Sequence, residues 1–356
     1  MSDYFGYIVS KPYYKRVVSS IDQYAGARQY CFDDGLARGM RAIDVYTGSG
    51  FEFTILPDRG LDIASARFRG VPVAYVSKVG LKNPSICYPD SRGDFLRYFI
   101  GGLVSTCGLD NVGEDCHLEG SYYPMHGRNM ITPSENLCIR KYWEGNDYFV
   151  TVQGDLRFAA LFGENITINR SITIKMGENK LRIVDKIVNE SSIDQPIMLM
   201  YHCNFGFPIA SPNSFVISNH NHHEYFDKQS AAMAKDRLKF DEEIPREYNQ
   251  RTYTLHEPRN SVVKAGVINP EIELGAYVEC FKDQLGSFTQ WMQLAEQDYV
   301  IGLEPGTCNP IGRRRAVEEG RITIIEAGET AVKELTIGLL VGIEEIESYH
   351  NTIKPE

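Results

Sequence analysis

Apolar positions in this chain recur mainly at every second residue. In Ile166-Thr167-Ile168-Asn169-Arg170-Ser171-Ile172-Thr173-Ile174-Lys175, apolar and polar side chains largely alternate, and they do so again over residues 181–188. A period of two sends successive side chains to opposite faces, so the two runs predict a long hairpin with one buried face, turning at Gly177-Glu178-Asn179-Lys180. Upstream, Arg41–Tyr46, Phe51–Leu56, Asp62–Phe68 and 71–76 are strand-like runs separated by short turns, most of them containing glycine, which signals an antiparallel meander. Strands resume at 261–263, 271–281, 288–295 and 299–303. A final pair, 321–326 and 331–341, is expected to close around Ala327-Gly328-Glu329-Thr330.

Helical spacing occurs in two places. Tyr14, Val17, Val18, Ile21 and Tyr24 fall near one face of a predicted helix over 11–25. Residues 94–104 read as an inserted helix covering the sheet, followed by the loop Thr106-Cys107-Gly108-Leu109-Asp110-Asn111. Residues 211–257 are polar and irregular, with Asn219-His220-Asn221-His222-His223 near their start, and read as a long loop or lid. No tandem repeat or Pro/Gly/Ser linker divides the chain. The expectation is a mainly β protein with a few short helices: one domain over 1–356, a large antiparallel β-sandwich with 1–40 packed on it as a helical extension.

Composition removes several classes of function. The 356 residues carry a net charge of -10, which offers no basic field for nucleic acid or an anionic membrane. No apolar run reaches the roughly 20 residues of a membrane span. The start, Met1-Ser2-Asp3-Tyr4-Phe5-Gly6-Tyr7, lacks the pattern of a secretion signal. Eight cysteines without CxxC spacing fit a reducing cytoplasm. A homodimer is the default expectation for a soluble enzyme, with no particular residue behind it.

Three segments place titratable side chains at the ends of strand-like runs: Pro124-Met125-His126-Gly127-Arg128-Asn129, Met200-Tyr201-His202-Cys203-Asn204, and Gly302-Leu303-Glu304-Pro305-Gly306-Thr307. Gly127 beside His126 lets backbone or ligand approach closely. His202 follows Ile197-Met198-Leu199-Met200-Tyr201, apolar enough for a fully buried strand. Glu304 ends an apolar run, where a carboxylate is costly unless paired or protonated. Each histidine alone is as readily structural as functional, and the set has meaning only if folding gathers it. An ordinary carboxylate, with a pKa of about 4, accepts a proton at neutral pH, and a histidine near about 6.5 supplies one. Such a pair suits ring opening at a sugar hemiacetal, which requires neither metal nor cofactor. His220, His222 and His223 have the chemistry to ligate a metal with Glu224 or Asp227, but a surface loop is the simpler expectation and no metal site is assigned.

In this order and near these spacings, the segments resemble the aldose 1-epimerase (galactose mutarotase) superfamily. Leu56-Pro57-Asp58-Arg59-Gly60-Leu61-Asp62-Ile63, with His-Gly-Arg-Asn and Leu-Glu-Pro-Gly, is similar to a poorly characterised domain-of-unknown-function branch of it. The resemblance runs from about Arg41 to Val341. It implies a β-supersandwich, with Glu304 as general base, His202 as general acid and His126 polarising the substrate. Arg59, Asn111, Arg128, Asn204, Gln290 and Trp291 are the expected substrate contacts. The chain departs from the classical pattern in three ways, one being that Tyr201 stands where the family has threonine. No arginine stands shortly before the first histidine, and no residue matches the aspartate that holds sugar hydroxyls. The implied function is interconversion of sugar anomers. A non-catalytic sugar-binding protein, or chemistry at another sugar carbon, stays open, as does an anionic sugar received by Arg59, Arg128 or Arg313-Arg314-Arg315.

Overall fold

The computed structural model describes residues 2–4, 7–9, 11–89, 92–233 and 236–353. Residues 1, 5, 6 and 10, part of the expected N-terminal extension, lie outside the described residues.

Three antiparallel sheets form the body. The largest has eight strands, in the order Ser134–Glu144, Asp147–Ala159, Asn165–Lys175, Lys180–Asn189, Thr330–Val341, Leu274–Phe281, Val262–Asn269 and Phe215–Ser218. The expected long hairpin lies at its centre, in register from Ile166↔Asn189 to Ile174↔Leu181. A second sheet runs His220–Tyr225, Gln250–Pro258, Ser287–Ala295, Asp298–Gly306, Gln195–Gly206 and Thr323–Ile325, with Ser105–Leu109 also paired to Gln195–Gly206. The third is the N-terminal meander Gly26–Cys31, Arg41–Tyr46, Phe51–Leu56, Asp62–Phe68 and Val71–Pro72. One apolar cluster joins all three, with Ile43 and Phe53, Val150 and Ile183, and Leu199 and Ile301 among its members. The fold is therefore the mainly antiparallel β-sandwich expected, with short helices around it. Among the described residues no helix is long and apolar enough to cross a membrane.

The strand Gln195–Gly206 is buried at all but one position. It has sheet neighbours on both sides and layers on both faces, so it reads as an apolar run without alternation.

Several elements differ from expectation for identifiable reasons. Residues 211–257 are not a loop: they include the strands Phe215–Ser218, His220–Tyr225 and the start of Gln250–Pro258, with a short helix Lys228–Ala232. His220–Tyr225 is an edge strand exposed at all but its first residue, so it has no apolar face to reveal it. The expected loop at 106–111 is largely the strand Ser105–Leu109, buried at every position; its Thr, Cys and Gly fill a tight space that larger residues would not. Helix 94–104 stops at Tyr98, ahead of Gly101 and Gly102, both at positive φ. Helix 11–25 is a helix at Lys11–Val17 and a 3₁₀ turn at Ile21–Gln23, and Gly26–Cys31 then opens the meander, so residues 1–40 are not simply helical. The last two strands do not pair with each other: Thr323–Ile325 joins the second sheet and Thr330–Val341 the first.

A buried ion network ties the sheets together. The Arg170 guanidinium donates to both carboxylate oxygens of Asp185 (2.8 and 2.7 Å), to Asp62 (3.1 Å), to the Thr106 hydroxyl (2.9 Å) and to the Gly60 carbonyl (2.8 Å). The Tyr201 hydroxyl donates to Asp185 at 2.6 Å. Removing one member of a buried pair strands the other charge, at a cost of about 3–5 kcal/mol. Asp185→Ala should therefore lower unfolding stability by about that amount in urea titrations. A loss below about 1 kcal/mol would mean that the network contributes little to the fold.

Candidate active site

Folding brings His126, His202, Glu304 and Trp291 into one cleft of about 780 Å³, within the usual size range of ligand sites. Its floor is the second sheet. Glu304 and Val300 come from Asp298–Gly306, Trp291 and Gln293 from Ser287–Ala295, and Gln250 and Thr252 from Gln250–Pro258, each pair two or four residues apart and so on one face. His202 comes from the buried strand next to Glu304, and His126 from a turn after the small hairpin Cys116–Leu118 and Ser121–Tyr123.

His202 Nε2 lies 3.2 Å from Glu304 Oε1. The two atoms are in contact, and no hydrogen bond joins them. Among the described residues Glu304 Oε1 and His202 Nδ1 are both buried without a hydrogen-bond partner. Gly302 makes this approach possible: a Cβ there would stand 2.3 Å from Glu304 Oε1 and 3.2 Å from His202 Cε1. The two imidazoles meet edge to face with centroids 6.0 Å apart. Around them pack Phe95 on His126 (4.9 Å), and Phe99 and Trp291 on His202 (5.2 and 5.3 Å).

His126 itself is held in a left-handed conformation, φ 57°, with its N–H donating to the Gly113 carbonyl and its carbonyl accepting from Gly108 N–H, both at 3.0 Å. The Gly113 N–H points at its Nδ1 from 3.4 Å, which leaves Nε2 to carry the proton of the neutral ring. Gly127 must be glycine. At φ 72° a Cβ would sit 2.5 Å from Asp110 Oδ1 and 2.6 Å from the Gly108 carbonyl.

The other expected contacts brace the cleft from behind instead of reaching its lining. Arg59 is 1% exposed and donates to the Lys82 and Tyr98 carbonyls at 2.8 Å each, pinning the end of the helix that supplies Phe95. Asn111 donates to the Glu114 and Pro124 carbonyls and accepts from Arg313 N–H. Arg128 pairs with Asp110 and donates to the Tyr122 carbonyl. Asn204 spans the Gly102 and His202 carbonyls at 3.0 and 2.8 Å. Gln290 exchanges hydrogen bonds with Arg237.

In their place the cleft presents side chains that were not among the expected substrate contacts. Tyr75 and Lys78 both donate to Asp298, at 3.4 and 2.8 Å, and Asp227, Tyr248 and Gln250 come from the stretch expected to be a lid. The period-two register of 287–295 and 298–306 was a signal for Gln293 and Val300, since both share a face with the flagged Trp291 and Glu304. The histidine cluster lies outside the cleft lining. His222 contacts Glu257 (3.2 Å) and His256 contacts Glu224 (3.5 Å) between the edge strand and its neighbour, and no group of metal-holding side chains occurs among the described residues.

Burial alters the protonation expected from free side chains. It pushes the Glu304 carboxyl well above the usual carboxylate range. It also pulls His126 down to about 4, and His202 down to about 3, where neighbouring His126 adds to the shift and Asn204 opposes it. Burial thus favours the neutral form of the acid and of both imidazoles.

The sign of the stability effect differs between the two kinds of group. Above pH 4.5 an unfolded chain releases the Glu304 proton while the folded chain keeps it, so this residue costs stability as pH rises. Below 6.5 the unfolded chain protonates both histidines and the folded chain resists, so they cost stability as pH falls toward 4 and 3. Glu304→Gln removes only the first effect. Its Tm relative to wild type should therefore improve from pH 4 to pH 8 in thermal melts; a difference that stays flat would show that Glu304 ionises equally in both states.

Comparison with known proteins places this geometry in context. A family profile, Domain of unknown function (DUF4432), matches residues 37–339. No curated protein matches the chain. A Klebsiella pneumoniae protein provisionally named an aldose 1-epimerase superposes with a TM-score of 0.87 at 20% identity, covering 94% of this chain and 89% of that one. A galactose mutarotase-like protein from Clostridium acetobutylicum gives 0.60 at 15% identity (90% and 99% covered), and galactose 1-epimerase from Lactobacillus acidophilus gives 0.55 at 12% (89% and 99% covered). At these identities the likeness is one of fold. With its profile spanning most of the sequence, the chain belongs to the DUF4432 family, built on the galactose mutarotase-like sandwich.

Proposed function

We propose that the protein is an acid–base isomerase of the aldose 1-epimerase type, opening and reclosing a sugar ring at its anomeric carbon. The observation that carries this reading is the gathering of Glu304, His202 and His126 from distant segments into one aromatic-walled cleft, with buried polar atoms still lacking partners.

Glu304 and His202 are close enough to share one proton. A sugar hydroxyl donating to Glu304 Oε1 favours the carboxylate, and the proton then resides on His202. From that state Glu304 takes the anomeric O–H proton while His202 protonates the ring oxygen. The bond from C1 to the ring oxygen breaks as the C1 carbonyl forms. Rotation about C1–C2 and the reverse transfers give the other anomer, so no proton is gained or lost. His126 Nε2–H donates to a sugar oxygen and polarises it.

The lining supports an uncharged sugar. Arg59, Arg128 and Arg313 are engaged by carbonyls or by Asp110, and the cleft sets Lys78, itself paired, against Glu114, Asp227 and Asp298. Eight unpaired thiols support residence in a reducing cytoplasm.

The test is saturation-transfer NMR on a panel of neutral and acidic sugars at mildly acidic pH, reading exchange between anomer signals with and without protein. At least one neutral sugar should exchange faster. Glu304→Gln should slow that exchange at least about 100-fold. Gly302→Ala, which crowds the carboxyl, should slow it about 10-fold with Tm little changed, a drop of roughly 1.4 kcal/mol in transition-state stabilisation. Full rate in Glu304→Gln would remove it as the base. Deuterium from solvent appearing on carbon would move the chemistry to an enolising centre, and binding without faster exchange would leave a sugar-binding protein.

A further inference from the structure

The cleft is too long for one sugar ring. Glu304 and Val300 both line it from the same strand, four residues apart, so the floor runs about 13 Å between them. A pyranose with its hydroxyl oxygens, built from bonds of roughly 1.5 Å, measures about 6 Å across.

The far end of this floor is built for polar contact. Gln293, cross-strand partner of Val300, is 6% exposed and lines the cleft, and its Oε1 is buried without a hydrogen-bond partner among the described residues. Next to it in register is Gln250. Asp298, two residues before Val300, closes this end with Tyr75 and Lys78. A buried acceptor left empty is costly, and a hydroxyl donor from a ligand would satisfy it. The near end has the same unmet demand at Glu304 Oε1 and His202 Nδ1. Trp291 lies between the two ends, on the same face as Gln293 and edge-on to His202. Two hydroxyl-demanding ends separated by an aromatic platform correspond to two rings, one at each end.

We propose that the cleft takes a disaccharide-sized sugar, with its reducing ring at His126, His202 and Glu304 and its second ring carried past Trp291 to donate hydroxyls to Gln293 and Asp298. The assignment of the reacting end rests on the isomerase reading above; the second subsite rests on Gln293, Asp298 and the length of the floor.

Calorimetric titration of wild type and Glu304→Gln would compare each monosaccharide with reducing disaccharides that end in it: glucose with maltose, cellobiose and lactose, galactose with galactobiose, mannose with mannobiose, and xylose with xylobiose. In at least one set the disaccharide should bind at least about 10-fold tighter, and Gln293→Ala should erase that advantage. Equal affinities in every set would overturn the proposal, as would an advantage that survives Gln293→Ala. The same sugars, followed by anomer exchange in the wild-type protein, separate the two ideas. Tighter disaccharide binding without exchange sinks the isomerase reading and keeps the second subsite. Monosaccharide exchange without any disaccharide advantage does the reverse. Binding of no sugar sinks both.

Discussion

One guanidinium holds the architecture in place. Arg170 lies on the eight-stranded sheet, yet its donors reach Asp62 and Gly60 in the N-terminal meander and Thr106 beside the site-bearing strand, while Asp185 carries the link on to Tyr201. Three sheets thus converge on a charge with no access to water. A buried cation tolerates few arrangements of its acceptors, so the network sets how the sheets sit relative to each other and not simply how strongly they adhere. Tyr201 immediately precedes His202, and Thr106 pairs with Tyr201 across strands. The register of the strand that carries His202 is therefore fixed from beneath by the same group that joins the layers.

The cleft above is arranged on the opposite principle. Its key atoms, Glu304 Oε1, His202 Nδ1 and Gln293 Oε1, are buried and left without partners among the described residues, while the side chains behind them are tied to backbone carbonyls and neighbouring side chains. Arg59, Asn111, Arg128, Asn204 and Gln290 spend their hydrogen bonds holding backbone and neighbouring side chains, so that the few groups facing the cavity cannot relax into contacts of their own. Burial without partners also accounts for the protonation of the site: with no compensating charge, neutral forms win for acid and imidazole alike.

How much of this was readable from the chain depended on how local the determining physics was. The period of two fixed the central hairpin and the sandwich class, because alternation follows directly from one buried face. His126, His202 and Glu304 stood out because titratable groups beside glycine or at the ends of apolar runs are expensive. The misreadings arose where long-range context decides. Ser105–Leu109 is buried on every side and so has no alternation, and His220–Tyr225 is a strand only because Gln250–Pro258 pairs with it. Arg59 and Arg128 were expected as ligand contacts because the family's arginine before the first histidine is absent and these two stand in the segments that carry the resemblance. Which carbonyl or carboxylate takes that charge is settled by segments dozens of residues away, and no spacing rule contains them. Asp298 and Tyr75 were missed for the same reason, since common polar residues acquire meaning only from the cavity they face.

The outermost strand of the second sheet has a consequence of another kind. A sheet edge leaves backbone donors and acceptors open, and a second chain can dock on them and extend the sheet. Here that edge is His220–Tyr225, and across it and its neighbour stand His222 against Glu257 and His256 against Glu224, largely in solvent. An incoming strand would have to strip water from this fringe of acids and imidazoles before it could form its first hydrogen bond. Exposed charged side chains of this kind disfavour pairing at a sheet edge, so the histidine-rich stretch bears on how this sandwich with an open rim meets other chains.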